Sequence, residues 1–475
     1  MDSRGVRTKL AFFRLLNIVL VTAAFAAGWE LYYNNVITIS YQYKGNTAVE
    51  LLFLALYVVF AKVYDAFAVN IQRRMEQAIS QTLSALFADG LMYIVICLLY
   101  EWFAPVWPLM LVFVGQTLVI LMLVLLVNRW YNSARPPLRA VLLHDGSSNA
   151  WHLQREMCWD KGLKVIQNIE IKACVEEDLA PLEGAEVVFI CADQSTERDA
   201  VVNYCIARKL KFFVAPSIND MFINAARDVH MFHMPLLQMH MSEPSLTYLV
   251  LKRGMDIVLS LLALLLLWPF MLMIALTVKL YDGGPALYKQ VRLTKDGEEF
   301  ELLKFRSMRV DAEADGVARL STGDQDDRIA PIGRILRKLR LDELPQLLCI
   351  VKGDMSIVGP RPERPEIAAK YEEFLPEFRL RLQAKAGLTG YAQVYGKCNS
   401  TPQEKLQMDL LYISNPSIIE DLKLILTTIR VLFIKESTEG FAEDAHPGSG
   451  NASTGVEPEE KAPTSDRRQK EEVFF

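Results

Sequence analysis

The chain has 475 residues, of which 52% are hydrophobic, and it carries a formal net charge of −5. That length allows two or three domains, while the apolar share is too high for an ordinary soluble protein, so part of the chain is expected in a membrane. Its seven cysteines are scattered and never spaced as Cys-x-x-Cys, which argues against a structural zinc site and for reduced thiols, as in domains that face the cytosol.

Four apolar runs fill the N-terminal part of the sequence, at residues 10–29, 47–69, 82–103 and 106–128. Each approaches the roughly 20 residues that a helix needs to cross a bilayer. They predict a four-helix transmembrane bundle over residues 1–135. Arginine and lysine precede the first run, separate the second from the third and follow the fourth, so the N-terminus and the chain after residue 130 are predicted on the cytoplasmic side.

The charged residues inside or near these runs include Lys62, Asp65 and Asp89. A charge within a membrane span is often functional. The preferred interpretation is that all three lie at the ends of the spans, where a long or polar side chain reaches the interface.

Residues 136–245 are predicted to form a small Rossmann-like α/β domain. Short β-rich runs at residues 140–143, 187–190 and 211–214 alternate with amphipathic stretches such as residues 197–209, a pattern typical of a parallel sheet. The turn after the first strand, His144-Asp-Gly-Ser-Ser-Asn149, has one glycine where a dinucleotide-binding fingerprint has three, so bound NAD is not expected. The Met- and His-rich run at residues 230–241 is interpreted as an apolar connector rather than a soft-metal site.

A fifth apolar stretch, residues 257–278, is long enough to span a membrane, yet Lys252, Arg253 and Lys279 place basic charge at both of its ends. Pro269 lies near its middle, where proline removes a helix hydrogen bond. Residues 246–280 are therefore predicted to form a kinked, re-entrant membrane helix that enters one leaflet and returns. The alternative is a spanning helix that tolerates its proline, but such a helix would move the segment that follows to the other side of the membrane.

Two adjacent carboxylates, Asp342 and Glu343, stand in the segment Leu341-Asp-Glu-Leu-Pro-Gln-Leu347. Aspartate is a preferred N-cap and proline is tolerated in a first helical turn, so a helix is predicted from Glu343 to Val351, closed by Lys352 and Gly353. A helix N-terminus attracts anions, whereas two carboxylates repel them unless a cation stands between. The natural cation is Mg²⁺, which proteins hold through one or two carboxylates and the phosphates of the substrate.

Six basic side chains accompany this pair. Lys304 and Arg306 are predicted on one face of a strand because they lie two residues apart. The others lie on the helical stretch before the pair and in the proline-stiffened run after it: Arg334, Arg337, Arg361 and Arg364. Because guanidinium groups bind phosphate oxygens in pairs, the set predicts a phosphate or diphosphate site rather than a solvated basic surface.

Several motifs follow one another along residues 252–432: Lys252-Arg253 with Asp256, Lys304-Phe-Arg-Ser-Met308, Asp327-Arg-Ile329, the segment around Asp342, Gly353-Asp-Met-Ser-Ile-Val-Gly-Pro-Arg-Pro362 and Gly387-Leu-Thr-Gly-Tyr-Ala-Gln-Val394. In these motifs the chain resembles the bacterial polyprenyl-phosphate hexose-1-phosphate transferases, monotopic sugar transferases that start exopolysaccharide, O-antigen or glycoprotein glycan assembly. The N-terminal spans and the degenerate nucleotide-binding-like domain are similar to those of long family members. The resemblance implies a multi-domain membrane protein with an α+β catalytic domain at residues 281–436.

The resemblance also implies roles at the site. Asp342 is the implied nucleophile, which attacks the β-phosphate of a UDP-sugar, expels UMP and passes the phosphosugar to undecaprenyl phosphate. Glu343 is the implied Mg²⁺ ligand. Lys304 and Arg361 are implied to bind phosphates and Arg337 to support the carboxylates. The remaining residues with an implied part are Arg306 and Arg364 as helpers, Asp421 in a later acidic motif, and Pro269 at the kink of the re-entrant helix, where the family usually has Ser-Pro and this chain has Trp268-Pro269.

The partners implied by the resemblance are a UDP-sugar, undecaprenyl phosphate and membrane lipid, with no nucleic acid. The implied location is the bacterial inner membrane, with the catalytic domain on its cytoplasmic face. The sequence leaves open which sugar is transferred and whether the chain forms a homodimer, as long family members tend to do. Residues 437–475 are predicted to be a disordered tail.

Two other functions remain as alternatives. A membrane-bound nucleotide-sugar dehydratase or epimerase would use the middle domain, but that domain lacks the glycines and a Tyr-x-x-x-Lys pair. A non-catalytic scaffold of a glycan assembly complex would need a broken Asp-Glu pair, and here the pair is intact.

Overall fold

The computed structural model describes residues 3–37, 44–69, 72–134, 137–146, 153–154, 157, 162–224, 226–231, 234–238, 244–308, 328–396 and 400–433. The chain divides into two units, Met1–Glu439 and Gly440–Phe475, and all described residues belong to the first. Asp327 of the Asp-Arg-Ile motif and the predicted disordered tail lie outside the described residues.

Four long apolar helices form the N-terminal region of the described chain: α1 (Ser3–Gly28, continued by a π-helical turn at Trp29–Tyr33), α2 (Lys44–Val63), α3 (Arg74–Tyr100) and α4 (Trp107–Ala134). Helix α1 packs against α2 and α4, and α3 also packs against α2 and α4. Aromatic side chains fill the interior, where the rings of Phe25 and Phe53 stack with their centroids 4.2 Å apart. The outer faces expose Leu, Val and Met side chains, which is the pattern of helices that contact lipid.

The interior of these helices is more polar than the sequence predicts. Asp89 lies near the middle of α3 and is buried, with the Gln116 Nε2 atom 3.5 Å from its carboxylate, so the interpretation that it reaches the interface from a helix end is wrong. The reason is that one face of α3 repeats small and polar residues at helical spacing, which brings such groups together between the helices. Lys62 and Asp65 do lie at the end of α2.

The middle segment contains a parallel sheet in the order β2–β1–β3–β4, built from β1 (Leu138–His144), β2 (Leu163–Glu170), β3 (Val187–Cys191) and β4 (Lys211–Val214). Helices α5 (Ile171–Glu176), α6 (Thr196–Ala207) and α7 (Ile218–Asn224) follow the last three strands. The three β-rich runs and the helix of the sequence analysis are confirmed. Strand β2 was missed because it is an edge strand with mostly exposed side chains and no apolar run.

A hairpin follows this sheet, made of β5 (Arg227–Met231) and β6 (Met234–Gln238). The described part of the Met- and His-rich run is therefore an antiparallel pair of strands rather than a plain connector. Cross-strand hydrogen bonds satisfy its backbone.

Helix α8 (Leu246–Asp282) is a single helix of 37 residues that contains Pro269. Its first part is buried at Asp256 and Ser260, and its last part at Ile274 and Val278. Between them the side chains around Pro269 are apolar and exposed. It is the fifth helix in the described chain that is long and apolar enough to cross a membrane.

The C-terminal domain combines two small sheets with helices. Strands β7 (Leu287–Leu293) and β8 (Glu299–Phe305) are antiparallel, whereas β9 (Ser356–Val358) and β10 (Gly387–Thr389) are parallel. The helices are α9 (Pro331–Lys338), α10 (Gln346–Lys352), α11 (Pro365–Phe374), α12 (Tyr391–Val394), α13 (Pro402–Ser414) and α14 (Ile418–Val431). Residues from both parts of α8 pack into the cores of this domain.

The C-terminal domain also contacts the two preceding regions. Arg430 on α14 donates to the Tyr64 carbonyl and to Ser80 Oγ at 3.2 and 3.3 Å, and Tyr64 donates its hydroxyl to the Leu426 carbonyl. On another side α13 packs against α7 of the middle segment. These contacts fix the C-terminal domain relative to the membrane helices and to the parallel sheet.

Candidate active site

The Asp342–Glu343 pair lies in a tight turn and not at the start of an α-helix. Leu341–Glu343 form one turn of 3₁₀ helix after Arg340, whose backbone is left-handed with φ 53°, and α10 begins only at Gln346. The predicted helix from Glu343 was therefore placed too early, because hydrogen bonds of the i to i+3 type continue through Pro345 and delay the α-helical pattern. Its predicted end is confirmed, since α10 ends at Lys352 and Gly353 is left-handed with φ 108°.

The turn rests on the last part of α8. Leu341 and Leu344, which flank the pair, pack with Phe305 and Leu336 against Ile274 and Val278. Gly333 allows α9 to approach the chain just after β8, because a Cβ there would collide with the Ser307 carbonyl. The turn that carries the carboxylates thus packs on the part of α8 around Ile274 and Val278, where the outward side chains are apolar and exposed.

Glu343 is held by two cations. Its Oε1 accepts a hydrogen bond from Arg361 Nη2 at 2.9 Å, and Lys304 Nζ lies 3.9 Å from the same oxygen. Burial alone would raise the pKa of Glu343, but Arg361 and Lys304 outweigh it and lower that pKa to about 2. Glu343 is therefore an anion at any physiological pH.

The pKa of Asp342 is shifted in the opposite direction. Its side chain is buried, and burial together with the charge of Glu343 raises its pKa above the usual aspartate range, although Lys304, Arg337 and Arg361 act to lower it. Within the described residues neither Lys304 nor Arg361 forms a hydrogen bond or ion pair with this carboxylate. The raised pKa makes Asp342 the more basic member of the pair.

Lys304 ends up near the pair as predicted, and Arg306 takes a different position. Burial lowers the pKa of Lys304 to about 8 despite the attraction of Glu343. Strand β8 ends at Phe305, and the Arg306 amide still donates to the Ala286 carbonyl at 3.0 Å. The buried guanidinium of Arg306 lies against Gly284, where a Cβ would collide with it.

The loop that carries Arg361 is fixed by backbone contacts. The Arg361 carbonyl accepts from Arg381 Nη2 at 2.7 Å, the Pro362 carbonyl from Arg292 Nη1 at 3.0 Å, and the Glu363 carbonyl from the Leu293 amide at 3.0 Å. Proline restricts the backbone of the same loop. Arg361 is therefore presented to Glu343 by a preorganised segment.

Sequence reasoning missed the residues that hold this loop. Arg381 and Asp409 form an ion pair of 2.8 Å with side chains only 4% and 1% exposed. An acidic residue on the apolar face of a helix was the available signal for Asp409, since a buried charge needs a partner.

The other predicted residues fall into two groups. Arg337 lies in the last turn of α9 and lowers the pKa of Asp342, and buried Arg364 precedes α11. Pro269 and Asp421 do not join the carboxylate pair. Pro269 lies in the exposed apolar part of α8.

Asp421 is the centre of a separate buried cluster, which also contains Tyr248, Lys252 and Tyr412. Its two oxygens accept from Tyr412 Oη at 2.8 Å, Tyr248 Oη at 3.0 Å and Lys252 Nζ at 3.1 Å. This cluster joins the start of α8 to α13 and α14. Its position indicates that it fixes α8 to the domain.

The carboxylate pair suits Mg²⁺, which proteins hold through one or two carboxylates while phosphate oxygens and water complete the shell. Among the described residues no three His, Cys, Asp or Glu side chains are placed to hold a metal alone. Glu343 is ionised and largely buried. The pair therefore fits a metal that is bound together with the phosphates of a substrate.

Residues 247–435 match the family model described as bacterial sugar transferase. An exopolysaccharide production protein, PSS, of Rhizobium leguminosarum bv. phaseoli is 43% identical over 201 residues, which are 40% of this chain and 98% of the relative. A UDP-glucose:undecaprenyl-phosphate glucose-1-phosphate transferase of Caulobacter vibrioides is 40% identical over 191 residues, or 39% of this chain and 71% of the relative. The protein of that name from Escherichia coli K12 is 38% identical over 193 residues, 40% of this chain and 41% of the relative.

Proposed function

Because the chain belongs to the bacterial sugar transferase family, we propose that it transfers a hexose 1-phosphate from a UDP-sugar to undecaprenyl phosphate and releases UMP. It is an enzyme, since relatives with 40% and 38% identity carry the names of undecaprenyl-phosphate sugar-phosphate transferases. The observation that carries the proposal is the buried Asp342–Glu343 turn beside Lys304 and Arg361. The products start an exopolysaccharide, O-antigen or related glycan.

The transfer proceeds in two displacements at the same phosphorus atom. An oxygen of Asp342 forms a bond to the β-phosphorus of the UDP-sugar while the bond from that phosphorus to the bridging oxygen breaks, and UMP leaves. A phosphate oxygen of undecaprenyl phosphate then attacks the sugar-phosphoryl group, and the Asp342 carboxylate leaves. Splitting the transfer in this way replaces one difficult step by two easier ones.

The neighbouring side chains stabilise the charge that these steps bring together. Arg361 and Lys304 face the carboxylates and bind phosphate oxygens, and Arg337 supports Asp342. Glu343 would hold Mg²⁺, which when bound supplies charge neutralisation for the diphosphate. Burial and the charge of Glu343 raise the pKa of Asp342, which makes its oxygen more basic and favours attack on phosphorus.

The membrane arrangement is part of the proposal. Helices α1 to α4 span the inner membrane, while α8 is re-entrant and leaves the catalytic domain on the cytoplasmic face. Support comes from the contacts of α8, whose residues on both sides of Pro269 pack into one domain, including Asp256 at the Ile357 amide and Val278 beside Phe305. A helix that crossed the bilayer would place these two ends on opposite sides.

A UMP-release assay tests the proposed function. Purified protein in lipid nanodiscs is given undecaprenyl phosphate, Mg²⁺ and either UDP-glucose, UDP-galactose or an N-acetylated UDP-hexosamine. We expect UMP release with one preferred donor, and release with none of them would contradict the proposal.

The covalent intermediate has its own test. Without the lipid acceptor, a donor labelled in the sugar should leave about one label per active site on the protein, and hydroxylamine should remove it because an acyl phosphate is labile. Turnover without any such labelled protein would argue for direct transfer. The homodimer implied by the resemblance stays a prediction, and the mass of the particle in nanodiscs tests it.

A further inference from the structure

Arg381 connects the loop that carries Arg361 to helix α13 of the same domain. Its Nη2 atom donates to the carbonyl of Arg361 at 2.7 Å and lies 2.8 Å from Asp409 Oδ2. Its Nη1 atom is 3.9 Å from Glu363 on the same loop. The ring of Phe378 lies 4.7 Å below the guanidinium. These contacts hold the Arg381 guanidinium, and its Nη2 atom in turn holds the backbone of Arg361.

Asp409 belongs to α13, and the same helix packs against the middle segment. Met221 of α7 is buried against Leu406 and Leu410, which lie on either side of Asp409 in the sequence, and Gln407 Nε2 donates to the Pro216 carbonyl at 2.9 Å. Helix α7 is itself tied to the carboxyl end of the parallel sheet, where Asp220 pairs with Arg198 at 2.9 Å. The path from the sheet to Arg361 therefore consists of direct contacts.

We propose that the middle α/β domain positions the phosphate-binding Arg361 through α7, Asp409 and Arg381. Arg381 and Asp409 are positioning residues that act through the backbone of Arg361. The domain thereby adjusts the affinity for the nucleotide diphosphate while the chemistry stays at Asp342. The Rhizobium relative fits this division, because nearly its whole length aligns with only 40% of this chain, so most of this chain has no counterpart in that relative.

The inference rests on the proposed function, but its test does not need turnover. UDP binding is measured by calorimetry on the full-length protein in nanodiscs. For Asp409→Asn we expect the Kd for UDP to rise about fivefold, the effect of about one hydrogen bond. With turnover, KM for the donor should rise while kcat changes less than about twofold. A normal Kd in Asp409→Asn would overturn the proposal, whereas wild-type protein that binds UDP and releases no UMP would overturn only the proposed function.

A double-mutant cycle shows whether the effect passes through Arg361. Asp409→Asn should weaken UDP binding in the wild-type background and have almost no further effect in Arg361→Ala, because the group being positioned is gone. Equal effects in the two backgrounds would contradict the relay and leave Asp409 a merely structural residue.

The domain contact has a matched pair of variants. Met221→Ser removes buried side-chain contacts to α13, whereas Met234→Ser makes the same change at an exposed position on β6. We expect a higher Kd for UDP in the first and no change in the second. Gln407→Ala serves as a milder variant in case Met221→Ser does not fold. Identical Kd values for Met221→Ser, Gln407→Ala and Met234→Ser would disprove the part assigned to the middle domain.

Discussion

Two buried aspartates of the C-terminal domain lie beside basic side chains, and they differ in how far their charge is matched. Asp421 is fully enclosed, and its two oxygens together accept from Lys252, Tyr248 and Tyr412. Asp342 is also buried, yet Arg361 and Lys304 contact its neighbour Glu343 instead.

We expect this difference to separate a structural charge from a reactive one. Asp421 is fully enclosed and already accepts three hydrogen bonds, so it is closed to a substrate, and removing it leaves its partners unpaired. A buried carboxylate with a raised pKa keeps a basic oxygen in a site whose cations are arranged for an incoming anion. Sequence resemblance assigned a functional role to both residues, and only the geometry distinguishes them.

The largest effect is expected at the reactive aspartate. Asp342→Asn keeps the shape of the side chain but removes the nucleophile, so UMP release should fall by at least about 1000-fold, as for other nucleophile deletions. Membrane insertion should be as in wild type, and the thermal midpoint should not fall. A variant that retains a tenth of the wild-type rate would rule out Asp342 as the nucleophile.

The second change is made at the other buried aspartate, Asp421. Asp421→Asn leaves the Lys252 ammonium buried without its counter-charge, which should cost about 3–5 kcal/mol of stability while the folded fraction keeps its specific activity within about threefold. The thermal midpoint in detergent and UMP release per folded molecule measure the two quantities. The double variant Lys252→Met, Asp421→Asn should recover part of the stability. Loss of activity in fully folded Asp421→Asn would instead place this aspartate in the reaction.

Arg361→Lys tests whether the cation beside Glu343 acts by its charge alone or also by its hydrogen-bonding geometry. Lysine keeps the charge near Glu343 but cannot bind a phosphate with two parallel N–H groups, so kcat/KM should drop about 10- to 100-fold with unchanged folding. Lys352→Arg, on the exposed side of α10, is the matched control. Wild-type kcat/KM in Arg361→Lys would show that charge alone is sufficient.

The smallest expected effect is a pH-dependent change in the thermal midpoint. Because the folded-state pKa of Asp342 is raised, its contribution to stability is complete below the unfolded pKa of about 4 and is lost as pH rises through the folded value. Asp342→Asn should therefore raise the thermal midpoint by at most a few degrees near pH 7.5, and the gain should vanish toward pH 4. Glu343, with a pKa of about 2, stays charged over this range. A gain that grew as the pH fell would contradict the assignment.

Local patterns made much of the fold predictable. The long helices, the strands at residues 138–144, 187–191 and 211–214, and the Gly353 helix end all follow from runs of residue types that interact with near neighbours. Strand β2 and the π-helical turn of α1 carry no such run. The start of α10 was misplaced because an N-cap preference does not distinguish an α-helical from a 3₁₀ turn.

The residue types along the chain specify the chemistry that is present: an Asp-Glu pair, a proline-stiffened arginine loop and a basic strand, in an order that indicates phosphate transfer beside a membrane. The partners of each charge follow from the folded arrangement. In the folded chain Arg361 and Lys304 contact Glu343, and Asp421 is enclosed by two tyrosine hydroxyl groups and the Lys252 ammonium. Arg381 pairs with Asp409 behind the loop that carries Arg361. Charge is a property of a residue type, whereas burial and partners depend on which distant segments the folded chain brings together.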